Sequence, residues 1–255
     1  MSRLAHTHHI GESGWTNTKR PMTIVGYRNA RDITVQFEDG NTARADYANF
    51  RRGSVKNPCE ASVYRRGCFG IGPYRGREKN GGHTKHYRTW RGMLERCYSA
   101  SYHAKRPSYI DCTVCDDWLN FQKFAAWYDL NYYEVSGERM CIDKDILVKG
   151  NKTYRPDRCV FVPERINALF LKSGSIRGAS PIGVTLQGRT GKYEAGCQQA
   201  GANKHIGSFG DPVSAFLAYK AAKEATIKQV AEEYKDWIPE ALFDAMMRYA
   251  VEMTD

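Results

Sequence analysis

Residues 141–170, CIDKDILVKGNKTYRPDRCVFVPERINALF, set Asp143, Asp145 and a late Asn167 in an apolar frame. Lys144, Lys149, Lys152 and Arg155 lie in the first half of the same segment. Oxygen donors of this kind suit magnesium or manganese. Metal and cations together are what phosphodiester hydrolysis needs: an ion on the phosphate, a base for water, and charge for the transition state. Lys149 and Lys152, on the turn VKGNKTYRP, are placed to grip phosphate. The plainer alternative for Asp145 is a salt-bridged aspartate in a basic loop.

The chain around this segment has 255 residues, 42% hydrophobic, enough for real cores in one to three domains. It contains no apolar run of about 18 residues, so no membrane-spanning helix and no membrane partner are expected. The start, MSRLAHTHHIGESGW, lacks the apolar core of a secretory signal. His6, His8 and His9 read as a polar terminus. The eight cysteines are therefore expected as reduced thiols. Only Cys112 and Cys115 form a CxxC, with no second pair to complete four ligands, so a zinc site is not expected. A formal charge of +10 asks for a polyanionic partner.

Three regions separate by pattern. Residues 1–57 alternate at period two through Ile24, Tyr27, Ile33, Val35 and Phe37, with turns at RNARD and EDGN. This predicts a small antiparallel β domain of SH3-like type, decorated by Arg20, Arg28, Arg31, Arg44, Arg51, Arg52 and Lys56. Residues 58–82 are a Gly- and Arg-rich linker or loop whose Arg75 and Arg77 could lie along phosphates. Residues 83–172 open with a helix carrying Tyr87, Trp90, Leu94, Cys97 and Tyr98 on one face. A second helix is expected from Asp116, capped by Asp116 or Asp117, with Trp118, Phe121, Phe124, Ala125 and Tyr128 as its stripe. From about Gly174, three short strands precede a helix capped by Asp211 with Pro212 at its first position. Val213, Phe216, Ala218, Tyr219 and Ala222 are expected on or beside its buried stripe. A last helix falls in residues 236–255, with Leu242, Phe243, Met246 and Met247 packed inward.

The blocks YRTWRGMLERCY, YIDCTVCDDWLNFQKFAAW and the segment 141–170 together resemble phage HNH homing endonucleases. Residues 173–235 resemble an AP2-type DNA-binding domain on GVTLQGRTGKYEAGCQQAGANKHIGSFG and the helix after it. The resemblance implies an α+β protein: a small β domain, a ββα-metal core, and a three-stranded sheet plus helix. It implies that Asp143 and Asn167 bind Mg²⁺ or Mn²⁺, with Asp145 as a second carboxylate. Lys144 stands where that family has its general-base histidine. The middle Asn of the motif falls near Asp157 or Arg158 and is also lost. A lysine serves as base only if its pKa drops several units, and neighbouring carboxylates act the other way. His83 and His86 are the alternative sources of a base. The AP2-type sheet would enter a DNA groove, with Arg189, Lys192, Gln198, Lys204 and His205 on or beside its strands.

Two functions follow. One is a DNA-binding endonuclease with an altered base, using Asp143, Lys144 and Asn167. The other is a non-catalytic binder of duplex DNA or structured RNA, a ribosomal surface included, that keeps the HNH-like fold. Both place the protein in the cytoplasm, the host's if it is phage-encoded. The sequence leaves the oligomeric state open.

Overall fold

Alternating side chains at the start of the chain make a four-stranded antiparallel meander. Its strands are β1 (Ser13–Trp15), β2 (Pro21–Asn29), β3 (Asp32–Phe37) and β4 (Thr42–Ala45), paired in sequence order. Met22, Ile24, Ile33, Val35 and Phe37 point to one side and are buried with Phe50 and Val55. Phe50 belongs to the short helix α1 (Tyr47–Arg51), which Asp46 caps by accepting from the Asn49 amide. The computed structural model describes residues 9–171, 180–199 and 202–255. His6, His8 and the expected boundary at 172/173 lie outside the described residues.

The chain divides into two compact units, Met1–Leu130 and Asn131–Asp255. In the first, α2 (Lys85–Tyr98) runs to α3 (Ala100–Lys105), and α4 (Asp116–Leu119) is followed by α5 (Phe121–Asn131). The aromatic stripes of α2, α4 and α5 are core: Trp90, Trp118, Phe121 and Phe124 are almost fully buried. The helix expected to run on from Asp116 is broken at Asn120. Cys68 donates its amide to Leu119 O and accepts from the Phe121 amide, so a chain segment occupies the groups that would continue the helix. The cap also differs: no side chain caps α4, and Asp117 pairs with Lys123 instead. The same contacts dock the Gly- and Arg-rich stretch 58–82. Gln122 extends the docking, its Oε1 accepting from the Tyr74 amide at 2.9 Å and its Nε2 donating to Tyr74 O at 3.0 Å.

In the second unit, β5 (Met140–Asp143) pairs antiparallel with β6 (Val160–Pro163), and α6 (Glu164–Leu169) follows directly. A three-stranded antiparallel sheet comes next: β7 (Val184–Gln187), β8 (Lys192–Gln199) and β9 (Ala202–Phe209), with β8 central. Helix α7 (Pro212–Tyr234) covers one face of it, and α8 (Glu240–Arg248) packs on α7 through Leu242 and Met246. Asp211 caps α7 as expected, accepting from the Val213 and Ser214 amides. Val213 lies beside the stripe, half exposed, while Phe216 and Tyr219 are buried on it. The protein is thus of mixed α+β class with antiparallel sheets. No described helix is long and apolar enough to cross a membrane.

Candidate nucleic-acid interface

Asp143 ends β5 opposite Val160. Its Oδ1 accepts from the amides of Asp145 and Ile146, both at 2.8 Å, which turns the chain off the strand. Burial and the neighbouring Asp145 push its pKa up to about 6, against the pull of the two amides and Lys144. Lys144 is buried, with its Nζ 3.2 Å from Asp145 Oδ2. Asn151 closes the loop, donating from Nδ2 to Lys144 O and Thr153 O at 2.7 Å each. Asp143, Lys144 and Asp145 therefore share one tight turn. Asn167 lies half-buried on α6, the helix that packs on β5 and β6.

As a cation receptacle this turn is sparse. One Asp143 oxygen is committed to the backbone, and Lys144 already neutralises Asp145. Asp157 is held by Arg155 and Arg158. Among the described residues no group of three or more His, Cys, Asp or Glu is placed to hold a metal ion. Magnesium does bind through one or two carboxylates when water and substrate phosphate complete its shell. Asp143, Asp145 and Asn167 are the residues that would serve it here.

Asp143→Asn isolates the charge of this turn. The amide oxygen still accepts the two backbone amides, while the buried charge is gone. The folded pKa lies above the unfolded value, so the folded state holds more protons between about pH 4 and 6. Stability falls as pH rises through that window. The substitution is expected to abolish that fall and to raise stability at pH 7 by about 1–2 kcal/mol. Thermal melts from pH 3.5 to 7.5 check it, and an unchanged pH slope would overturn the assignment.

The expected cations occupy different settings. Lys149 donates to Ala250 O at 2.8 Å and Asp255 Oδ2 at 2.9 Å, with Glu252 at 3.5 Å, tying the loop to the C-terminal residues. Lys152 is exposed. Arg75 and Arg77 are exposed on the docked loop, Arg77 donating to Gly81 O at 3.0 Å. His86 is fixed by Asp129 Oδ1 at 2.6 Å and lies beside the rings of Tyr74 and Tyr128. His83 stands 3.2 Å from Gly76 O and stacks on Tyr87.

The open face of the β7–β9 sheet carries Thr185, Gln187, Lys192, Glu194, His205 and Ser208, by register and alternation. Lys192 and His205 are on it, and Arg189 is exposed in the β7–β8 turn. Glu194 sits among them, with Gln187 Nε2 at 3.1 Å, and opposes phosphate there. Lys204 lies opposite Cys197, whose side chain is buried on the helix side. Lys204 thus belongs to the other face. The side chain of Gln198 is outside the described residues.

A further basic surface lies at the start of the Gly- and Arg-rich stretch, in a turn the sequence does not signal. In the hairpin SVYRRG, Tyr64 (φ 51°) and Arg65 (φ 58°) are both left-handed. The Arg66 amide closes the turn on Val63 O at 3.1 Å. Turns of this shape favour Asn and Gly, which is why VYRRG does not announce one. The Arg91 guanidinium lies 5.8 Å from the Tyr64 ring centre, and that of Arg66 lies 5.6 Å from Tyr98. Arg65, Arg66, Arg88 and Arg91 are all exposed. Burial raises the Tyr64 hydroxyl pKa, with Glu95 adding to it. No known protein family, curated protein or solved structure matches the chain.

Proposed function

We propose that this protein binds nucleic acid, with duplex DNA as its first partner and structured RNA as the alternative, and that binding does not need metal. The observation that carries this reading is the Tyr64–Arg66 hairpin on α2. Left-handed backbone at a non-glycine residue costs about 1–2 kcal/mol, and here two stand in succession. That geometry presents Arg65 at the tip and rests Arg66 and Arg91 on tyrosine faces. A guanidinium over a ring face keeps its outward N–H groups ready for phosphate. The overall charge of +10 acts in the same direction. The cytoplasm is the compartment this reading implies, and the eight cysteines as free thiols are in keeping with it.

The test is a titration of a labelled 25-base-pair duplex, and of a structured RNA of similar charge, at several salt concentrations. Arg65→Ala/Arg66→Ala is expected to weaken binding at least tenfold at low salt. The slope of log K against log[salt] should become shallower by about two. Binding that ignores both salt and this double substitution would overturn the reading.

Metal-assisted cleavage at Asp143 is a second reading. The raised pKa of Asp143 favours it, since a cation would relieve the charge that burial and Asp145 oppose. Plasmid nicking in Mg²⁺ or Mn²⁺ that Asp143→Ala and Asn167→Ala abolish would establish it. Binding that survives a chelator without nicking supports the first reading.

A further inference from the structure

Trp15 is the anomaly of the N-terminal sheet. It ends β1, directly opposite Pro21, and is 66% exposed. Its neighbour Gly14 lies against the Phe50 ring on the core side, so Trp15 stands on the open face. Pro21 lies across from it on that face, and the Ser13 and Thr23 hydroxyls, 3.2 Å apart, follow along the strands. An indole is seldom left so bare on an ordered strand unless something covers it.

The backbone under Trp15 is fastened. The Thr16 amide donates to Arg20 O at 2.8 Å, and the Asn17 amide to Gly53 O at 2.7 Å. Gly53 (φ +67°) presses close to the Trp15 carbonyl, where a Cβ would come within 2.6 Å. These bonds shape the β1–β2 turn, and they hold Lys19 in a left-handed conformation (φ 60°) with its amide on Thr16 O. Lys19 and Arg20 in this turn and Arg52 beside Gly53 are exposed, Arg52 donating to Asn49 Oδ1. Residues 9–57 hold eight Lys and Arg against five Asp and Glu. The nearest acid in sequence, Glu12, is bound by His9, Tyr47 and Arg51 on the other side of the strand. An exposed aromatic plate on a fastened turn that also carries cations suits one ligand chemistry: a flat base on a phosphodiester chain.

We propose that Trp15 is a stacking platform for an unpaired nucleobase, with Lys19, Arg20 and Arg52 on the flanking phosphates. This deepens the binding function proposed above and rests on it. A single-stranded segment is the occupant, because a duplex keeps its base faces covered.

The experiment compares two labelled 12-mers of equal charge, oligo-dT and an all-abasic strand, by fluorescence anisotropy. Trp15→Ala is expected to weaken oligo-dT binding roughly 5- to 100-fold while leaving the abasic strand unchanged. Trp15→Phe, which keeps a ring, should restore most of the loss. The exposed position allows both variants to fold, and unchanged thermal melts verify this. Wild type that binds both strands equally well, or Trp15→Ala losing both equally, overturns the stacking platform while leaving nucleic-acid binding intact. Wild type that binds neither these strands nor duplex nor RNA overturns the underlying function as well.

Discussion

Replacing Trp90 with alanine is expected to lower the stability of the first unit by about 3–5 kcal/mol. That is a large share of a domain's usual margin of about 5–15 kcal/mol. Trp90 is fully buried, with the rings of Tyr87 and Phe121 at 5.6 and 5.4 Å. Its Nε1 donates to Trp118 O at 2.7 Å, a bond that joins α2 to α4. Truncation leaves a cavity and orphans that carbonyl, so two losses coincide. Gly67 sits against the same indole and has no side chain to fill the gap. Trp90→Phe helps separate the two losses, because it keeps much of the ring volume while removing the donor. It should cost about half as much. Four of the five tryptophans lie in this unit, so urea titration followed by fluorescence reports on it. A loss under about 1 kcal/mol for Trp90→Ala would show that α2 and α4 are held by other contacts.

What the sequence conveyed follows from what periodicity can carry. Ile24, Ile33, Val35 and Phe37 alternate because one side of each strand is buried, and they are core in the fold. Asp211-Pro212 signals a helix start because both residues act within one turn of the chain. The failures depend on partners distant in sequence. Asn120 breaks a helix because Cys68 takes its neighbours' hydrogen bonds, and nothing near Asn120 encodes Cys68. Val213 stands four residues before Leu217, on the exposed side of α7, while Ala215 and Phe216 of the same turn are buried. At the candidate site, the turn Asp143–Lys144–Asp145 was legible as a charged cluster. Its hydrogen bonds were not, because they depend on where the backbone amides of Asp145 and Ile146 point. The Tyr64–Arg65 turn was invisible for the opposite reason: it uses residues that turns of its shape avoid.

Gly183→Ala is expected to destabilise the second unit by about 2–5 kcal/mol, more than an alanine at any exposed glycine. Gly183 (φ +74°) immediately precedes β7, and an added Cβ would fall 2.1 to 2.3 Å from the Tyr219 ring. No real contact is that short, so ring or strand must move. Tyr219 is buried on α7 and packs with Val184, Ala195 and Phe216, which leaves the ring little room. Overpacking of this kind costs about 1–3 kcal/mol, and the left-handed backbone adds about 1–2. A strand shift has a further consequence, because Gly183 O accepts from the Gly196 amide at 3.0 Å and so steadies the central strand. A double-mutant cycle distinguishes the two terms. In a Tyr219→Ala background the ring is gone, so Gly183→Ala should cost only the backbone share. A cost as large there as in the wild-type background would place the strain in the strand itself and not at the ring. The Gly-Val start and the helical tyrosine, 36 positions apart in the sequence, thus meet as one contact. Each constrains the other: the ring can pack here only where the chain has no side chain, and the glycine is required by that ring as well as by its own left-handed backbone.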